Sequence, residues 1–463
     1  MFSKKSDPQK ILASLRNDPE ALIRLCLKQR QRIEELSREL EAEREHRREL
    51  EERVEELERE AKRPAAPFRR PEHRKKDCRK KPGRKGGHKG QARAKPTDVD
   101  QRIEVPLTHC PDCGERLHHT RPVEQFIEDL PEVRPVITHL ITYRARCSRC
   151  KKHVKSTHPL QVSEAVGAAG VALGPRAVAI ALELKHKHGL SKRKICRILK
   201  DHFHLSISPG GLSQLFSRMA DRLRDRYDDL KEQARQSEAL HVDETSWWIG
   251  GPAWLWVFTN QDFTLYRAAH SRGRAVLLDL IGNNFDGVLV SDCLNIYDDT
   301  NPRQQKCYSH HLQAVSQALG KKPRSAFLQQ IRGLLKGSLD LKKNCPDPHH
   351  PQRKALRATL GTIARDLLSA PRDDPVEEYV RRRLAKQADH LFTFLDTPGV
   401  DATNNIAERQ LRPAVIARKI SCGNKTDKGA RTWQILTSLF ATAEQHGTNM
   451  FDNIQEVMRV RAT

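Results

Sequence analysis

The order of hydrophobic and polar positions predicts a long helix at the N-terminal end of the chain. Residues from about 10 to 62 have helical periodicity, and the apolar residues of the later part fit the a and d positions of one heptad frame: Ile33, Leu36, Leu40, Leu50, Val54 and Leu57. Glu43 and Arg47 interrupt this seam. We predict that residues 1–62 form a helical segment that self-associates as a coiled coil, with a lone solvated helix as the alternative.

A second helical pattern covers residues 159–236. Residues 175–188 read as one amphipathic helix, Ser191 as the N-cap of a helix over 192–203, and Ser208 with Pro209 as the start of a third helix. Two short helices joined by a turn are typical of a helix-turn-helix, whose second helix enters the major groove of DNA. Plain helical packing is the alternative. The predicted DNA contacts are Lys192, Arg193, Lys194 and Arg197.

From residue 239 the pattern changes to short apolar strands. Residues 239–245, 253–258 and 265–268 read as three strands, and the turn at 250–252 joins the first two. Residues 271–281 read as a helix, and residues 287–292 form a further apolar strand that ends in Asp292. This order of hairpin, third strand, helix and strand is that of the ribonuclease-H-like α/β fold, in which acids from separate strands converge on bound metal.

Three acids occupy the positions at which such a fold holds its metal. Asp243 ends the first predicted strand, Asp292 ends the fourth, and Glu408 follows Asn404 and Asn405 in the first turn of a predicted helix. Crowded carboxylates repel one another unless a cation neutralises them, and hard oxygen ligands suit Mg²⁺ or Mn²⁺. We predict that these three acids are catalytic ligands of Mg²⁺ (or Mn²⁺) in phosphodiester cleavage. Any one acid alone is more often only a turn residue.

The interval between the second and third acids predicts a helical insertion. Asp292 and Glu408 are 116 positions apart, and residues 325–341, 352–369 and 375–395 carry apolar residues at helical spacing. We predict a catalytic domain over residues 237–425 with an all-α insertion at about 313–396, followed by a helical segment at 426–463. The chain as a whole is predicted to be a multidomain α+β protein.

The charge of the chain indicates a polyanionic partner. Lys and Arg total 83 against 59 Asp and Glu, a formal net charge of +24. The surplus is concentrated in residues 63–101, where we predict a disordered basic linker, since residues 62–95 hold 15 Lys or Arg and four prolines. We expect this linker to neutralise DNA phosphates. A solubilising linker is the alternative.

Four of the 11 cysteines predict a zinc module over residues 102–158. Two C-x-x-C pairs suit one tetrahedral structural Zn²⁺ with no open position, and a β-branched stretch at 133–143 predicts strands between them. Free thiols or redox activity are the alternatives. The chain has neither an apolar run long enough to span a membrane nor a secretory signal, so we expect a cytoplasmic protein with reduced thiols. The predicted zinc ligands are Cys110, Cys113, Cys147 and Cys150.

Several of these elements resemble the motifs of one known family. The sequence is similar to the transposases of insertion sequence 66 over nearly its whole length, in Asp243-Glu-Thr, Leu255-Trp256-Val257, Ser291-Asp292, Cys307-Tyr-Ser-His310 and Asn404-Asn405-x-Ala407-Glu408-Arg409-x-Leu411-Arg412-Pro413. The resemblance implies a DDE-type transposase that binds the terminal inverted repeats of an insertion sequence and catalyses metal-dependent strand cleavage and transfer, with Asp243, Asp292 and Glu408 as its catalytic acids. Cys293-Leu294 stands where the family commonly has Gly-Tyr, and His311 where it usually has arginine.

The remaining expectations concern DNA and partners. We interpret His310 as a site-shaping or phosphate-contacting residue. We expect four basic residues after Glu408 to hold the DNA backbone: Arg409, Arg412, Arg418 and Lys419. An ordinary solvated helix face is the alternative for these four. The expected partners are double-stranded DNA (element ends and target), further copies of the chain and accessory transposition proteins, without a membrane. A non-catalytic zinc and helix-turn-helix regulator or decayed transposase is the alternative function; a resolvase or ribonuclease of the same fold is the third.

Overall fold

A computed structural model describes residues 28–47, 93–118, 121–158, 171–298, 300–301 and 303–459. The chain divides into two compact units, Met1–Ile103 and Glu104–Thr463. In the first unit, residues 28–47 are helical, and the described seam residues Ile33, Leu36 and Leu40 are all exposed in the single chain. Leu50, Val54, Leu57 and the basic linker up to residue 92 lie outside the described residues, so the coiled coil and the linker stay predictions.

The cysteine-rich start of the second unit holds little regular structure. A short antiparallel pair, β1 (Arg144–Arg146) and β2 (His153–Lys155), brackets the second C-x-x-C pair. The prediction of strands over residues 133–143 is wrong, because this stretch is irregular and Val136 and Ile137 are 94% and 90% exposed. A β-branched stretch forms a strand when one of its faces packs on a hydrophobic core. In the part of the chain described here, no hydrophobic core packs against these residues.

Four helices follow: α1 (Pro175–His186), α2 (Lys192–Phe203), α3 (Pro209–Arg222) and α4 (Arg224–Arg235). The predicted N-caps are confirmed, since Ser191 accepts a hydrogen bond from the Lys194 amide and Ser208 one from the Gly211 amide. These helices share one hydrophobic core with the sheet and the C-terminal helices.

A mixed five-stranded sheet lies at the centre of the second unit. Its strands are β3 (Ala239–Trp248), β4 (Pro252–Thr259), β5 (Thr264–Ala269), β6 (Val288–Ser291) and β7 (Gln304–Lys306), in the order β5-β4-β3-β6-β7. The first three strands are antiparallel, whereas β6 and β7 run parallel to β3, and α5 (Arg274–Ile281) connects β5 to β6. The predicted order of strands and helix is confirmed, with β3 three residues longer at its end than predicted. That extension reaches the turn at Gly250, whose φ of +65° favours glycine.

The segment between β7 and Glu408 is helical, as predicted. It contains α6 (Tyr308–Lys321), α7 (Ala326–Asn344), α8 (Pro351–Ser369), α9 (Pro375–Ala385) and α10 (Thr393–Asp396), packed around a second core. The helix predicted over 375–395 is broken after Ala385. A 3-10 turn at Ala388–His390 follows, and beyond it Leu391, Phe392, Phe394 and Leu395 are all buried in the second core.

Three further helices complete the described chain: α11 (Asn405–Ser421), α12 (Asp427–Gln445) and α13 (Met450–Arg459). Helix α11 packs on β3 and β4, and its apolar side forms a third core with the inward residues of those strands, including Leu255 and Val257. Trp256 and Phe258 alternate with these residues and join the core shared with α1 to α4. The sheet is therefore covered on both faces. No helix in the described ranges is long and apolar enough to cross a membrane.

Candidate active site at the carboxylate cluster

Asp243 and Asp292 occupy equivalent positions on neighbouring parallel strands. His241 pairs with Val290 between β3 and β6, and each acid lies two residues further along its own strand direction. Asp243 is in the middle of β3 rather than at its end, and Asp292 directly follows β6. The Asp292 carboxylate accepts a hydrogen bond of 2.9 Å from the Leu294 amide, which turns the chain at this point.

The electrostatics of Asp243 reflect its neighbours. Burial, together with the nearby charges of Glu244, Asp292 and Glu408, raises the pKa of Asp243 to about 7. The amide of Glu244 donates to the Asp243 carboxylate at 2.9 Å and acts in the opposite direction. Asp292 and Glu408 are therefore both within electrostatic reach of Asp243.

Glu408 arrives on α11, whose start is fixed to β3 by Asn404. The prediction that asparagine caps this helix is wrong for the Asn404 side chain, which makes no capping bond although the residue is at the N-cap position. Its Nδ2 donates instead to the Val242 carbonyl at 2.8 Å, and its Oδ1 lies 3.2 Å from His241 Nδ1. The helix that carries Glu408 is thereby anchored beside Asp243.

A buried network next to the acids was not predicted. The Glu244 side chain, only 1% exposed, accepts hydrogen bonds from Arg272 Nε at 2.9 Å and Nη2 at 2.7 Å. The hydroxyl of the buried Tyr297 donates to the other carboxyl oxygen, and the Arg272 guanidinium lies over the Trp254 ring. Tyr297 belongs to the turn after Asp292, so Glu244 connects the two acid-bearing strands. The position of Glu244 beside Asp243 was the one signal in the sequence.

His310 lies beside the acids together with Cys307. Within the described part of the chain, Cys307, His310 and Glu408 are the residues that bring three candidate ligand atoms within 4.8 Å of one another; Asp243, Asp292 and Glu408 do not meet that limit as a set. The pKa of His310 is raised, chiefly by the adjacent Cys307 thiol, with Asp292 and Glu408 contributing. The predicted phosphate-contacting histidine is thus part of the acidic site.

The basic residues after Glu408 fall into two groups. Arg409, Arg412 and Lys419 are exposed on α11. Arg418, predicted to contact DNA, donates to Thr245 Oγ1 at 3.3 Å and to the Ser246 carbonyl and hydroxyl oxygens. Its guanidinium is therefore occupied in holding α11 to β3.

The region predicted to form a helix-turn-helix presents its charge on α2. Arg193, Lys194 and Arg197 are exposed, whereas Lys192 is half-buried and donates to Ser213 Oγ at 2.6 Å. Helix α3, predicted to enter the major groove, packs against α12 and buries one face, which includes Leu212, Leu215, Phe216 and Met219. Its N-terminal end and the side chains of Gln214 and Arg218 are exposed.

The two C-x-x-C pairs adopt the same local turn. The Gly114 amide donates to the Cys110 carbonyl and the Lys151 amide to the Cys147 carbonyl, and Gly114 and Lys151 both have positive φ. Backbone amides two and three residues on, first those of Cys113 and Cys150, lower the pKa of the Cys110 and Cys147 thiols. Each pair suits a metal ion, although the described structure does not gather three of the four sulfurs within 4.8 Å.

Fold and site together define a mixed α/β protein with coupled carboxylates at the junction of two parallel strands and a helix. Residues 170–432 match the family model described as "Transposase IS66 family". This match covers more than half of the chain, and the chain belongs to that family.

A curated relative adds a more distant similarity. The chain is 23% identical over 296 residues to "Uncharacterized protein y4qI" of Sinorhizobium fredii (strain NBRC 101917 / NGR234). The match covers 55% of this chain and 53% of that protein, so the chain spans about half the length of this relative. The name of this relative states no activity.

Proposed function

We propose that this chain is a DDE-type transposase that binds the terminal inverted repeats of an insertion sequence and catalyses metal-dependent DNA cleavage and strand transfer. The observation that carries the proposal is the convergence of the three acids: Asp243 and Asp292 occupy equivalent positions on neighbouring parallel strands, and Asn404 ties the start of the Glu408 helix to Val242. Membership of the Transposase IS66 family supports it, as does a sheet order that matches the ribonuclease-H-like fold expected for such enzymes.

The donor set of the three acids fits a hard divalent cation. Carboxylate oxygens are the preferred ligands of Mg²⁺ and Mn²⁺. A bound cation would offset both the desolvation of the Asp243 carboxylate and its repulsion by the neighbouring acids. Asp243, Asp292 and Glu408 would hold it. A bound divalent cation lowers the pKa of an attacking water and offsets the charge that develops on the leaving oxygen.

The surrounding residues would position the acids and the DNA. Asn404 holds the Glu408 helix against β3, and Glu244 holds the turn after Asp292 through Tyr297. The exposed Arg409 and Arg412, three positions apart and so neighbours on α11, would contact the phosphate backbone beside the scissile bond. Exposed Arg193, Lys194 and Arg197 on α2 would contact further phosphates.

The remaining parts of the proposal concern assembly. We place a structural Zn²⁺ at Cys110, Cys113, Cys147 and Cys150, supported by the lowered pKa of Cys110 and Cys147. Further copies of the chain and accessory transposition proteins are proposed partners, with action at the bacterial nucleoid. The exposed apolar seam on residues 28–47 supports self-association.

Cleavage of terminal-repeat DNA by the purified full chain with Mg²⁺ tests the proposed activity. We expect nicking at the element ends, and a loss of at least about 100-fold for Asp292→Ala and Glu408→Gln, the scale on which single electrostatic groups act in active sites. Asp286→Asn, which alters an exposed carboxylate outside the cluster, is the matched control and should cleave normally. Undiminished cleavage by Asp292→Ala would contradict the assignment.

DNA binding measured on the same proteins separates the alternatives. Specific binding without cleavage by the unaltered chain would favour a non-catalytic regulator or decayed transposase. A preference for branched DNA or RNA–DNA hybrids would favour a resolvase or ribonuclease.

A further inference from the structure

Cys307, His310 and Glu408 form a cluster of a different chemical character from the three acids. Cys307 immediately precedes α6, His310 lies in the first turn of that helix, and Glu408 lies in the first turn of α11. Their candidate ligand atoms, one per residue, are all within 4.8 Å of one another. A thiol, an imidazole and a carboxylate are thus gathered where two helices begin.

The sulfur in this cluster is held firmly. Cys307 is fully buried, and its amide donates to the Ser291 carbonyl at 2.9 Å, next to Asp292. The Asn404 amide donates to Cys307 Sγ at 3.2 Å. A hydrogen bond from an amide to sulfur favours the thiolate, which is the form that binds metals.

The imidazole of His310 has a ring nitrogen available for metal coordination. His310 Nδ1 is buried and forms no hydrogen bond within ordinary geometric limits, while the thiol of the neighbouring Cys307 raises the pKa of the ring. A buried polar atom without a partner is costly, and coordination to a metal is one way of satisfying it. Its position in an i, i+3 relationship to Cys307 places both donors on one side of the first turn.

Metal preference follows from the donor types. Mg²⁺ is hard and takes oxygen ligands, whereas Zn²⁺ accepts sulfur, nitrogen and oxygen and often has three protein ligands with a fourth position open. We propose that Cys307, His310 and Glu408 form a binding site for a borderline-soft divalent ion, represented by Zn²⁺, that is separate from the four-cysteine module and shares Glu408 with the carboxylate site.

Sharing of Glu408 makes the two sites compete. A carboxylate oriented toward a sulfur-ligated ion is withdrawn from Asp243 and Asp292, so occupancy of the new site weakens Mg²⁺ binding, and Mg²⁺ weakens Zn²⁺ binding by the same factor. Zn²⁺ therefore inhibits Mg²⁺-dependent cleavage. This inhibitory consequence rests on the proposed function, whereas binding itself does not.

Metal binding by the full chain is the primary test. Co²⁺ serves as the probe because it replaces Zn²⁺ and its thiolate ligands give charge-transfer absorption. We compare the wild type with Cys307→Ser and His310→Ala. Cys345→Ser, which removes a thiol outside the cluster, is the control. We expect both cluster variants to lose one Co²⁺ equivalent and its thiolate absorption, with zinc affinity at that site weakened at least about tenfold. Cys345→Ser should match the wild type.

Equal stoichiometry and spectra for all four proteins would overturn the site. Cys307 is fully buried, so far-ultraviolet circular dichroism checks the fold of each variant, and the partly exposed His310 gives a second variant that decides the question if Cys307→Ser unfolds. Loss of cobalt absorption in Cys345→Ser as well as in the cluster variants would also contradict the assignment.

Inhibition is measured as the zinc concentration that halves cleavage at fixed Mg²⁺. We expect this concentration to rise at least about tenfold in Cys307→Ser and His310→Ala, each relative to its own rate without zinc. Equal sensitivity of the wild type and both variants would refute the competition. If the wild-type chain cleaves no DNA, the proposed function fails, and the cobalt experiment still decides whether the site exists.

Discussion

The side-chain amide of Asn404 donates a hydrogen bond of 2.8 Å to the main-chain carbonyl of Val242, the residue before Asp243. This contact joins the start of the helix that carries Glu408 to the strand that carries Asp243. The main-chain carbonyl of Asn404 also accepts a hydrogen bond of 3.1 Å from the Glu408 amide, and the Asn404 amide donates one to Cys307 Sγ. One buried asparagine therefore sets the positions of two acids and a thiol.

Replacement of Asn404 by alanine should destabilise the protein and disturb the site together. The buried Val242 carbonyl and His241 ring would lose their partner, so the free energy of unfolding should fall by about 1–3 kcal/mol. Chemical denaturation measures this change. Asn405→Ala, at the exposed neighbouring position, is the matched control. Equal stability of Asn404→Ala and the wild type would show that the hydrogen bond from Asn404 to the Val242 carbonyl does not stabilise the fold.

Asp243→Asn should stabilise the protein in the absence of added divalent cations, and increasingly so as pH rises. Burial, together with the neighbouring acids, raises the pKa of Asp243 to about 7 from a usual value of 3.8. The folded state therefore retains a proton that the unfolded chain has lost, and wild-type stability falls as pH rises through this window and stays low above it. Asparagine carries no such charge.

Melting temperatures of this variant and the wild type should accordingly be similar near about pH 4 and diverge by about pH 8, with a difference in unfolding free energy of about 1–4 kcal/mol. Asp286→Asn, at an exposed position, should show no such divergence. A pH-independent difference between Asp243→Asn and the wild type would contradict the expected titration.

Tyr297→Phe should lower the rate of cleavage without lowering DNA affinity. Loss of the hydroxyl removes one of the three hydrogen bonds donated to the buried Glu244 carboxyl and loosens the turn after Asp292, at a cost of about 1–2 kcal/mol in stability. Single-turnover cleavage and equilibrium DNA binding separate the two effects. Tyr379→Phe, at a residue that is 60% exposed, is the control. A parallel loss of DNA affinity would indicate a direct contact instead.

Arg409→Ala should affect DNA binding and Arg418→Ala should affect stability, although both residues lie on α11. Arg409 is exposed, so its removal should weaken DNA binding and lower the slope of log affinity against log salt by about 1, with little change in stability. Arg418 donates to β3, so its removal should destabilise the fold. Titrations at several salt concentrations, together with thermal melting, test this. An unchanged salt slope for Arg409→Ala would remove it from the proposed DNA surface.

Much of the architecture was determined by local sequence patterns. The alternation of apolar residues predicted the order of four strands and a helix along the chain, helical spacing predicted the insertion, and Ser191 and Ser208 were correctly identified as caps. Such features depend on interactions within a few residues, so a single sequence contains them. The same patterns placed Asp292 at the end of a strand and Glu408 in the first turn of a helix, whereas Asp243 lies in the middle of β3 rather than at its end.

Contacts between distant parts of the chain were decided only by the tertiary structure. Asn404 bonds to a carbonyl 162 positions away rather than to its own helix, Arg418 holds a strand 172 positions away, and Glu244 meets Tyr297 across 53 positions. The burial of α3 against α12 is of the same kind. A polar side chain can satisfy its hydrogen bonds locally, in solvent or across the core, and only the packing of the sheet and its helices determines which partner is within reach.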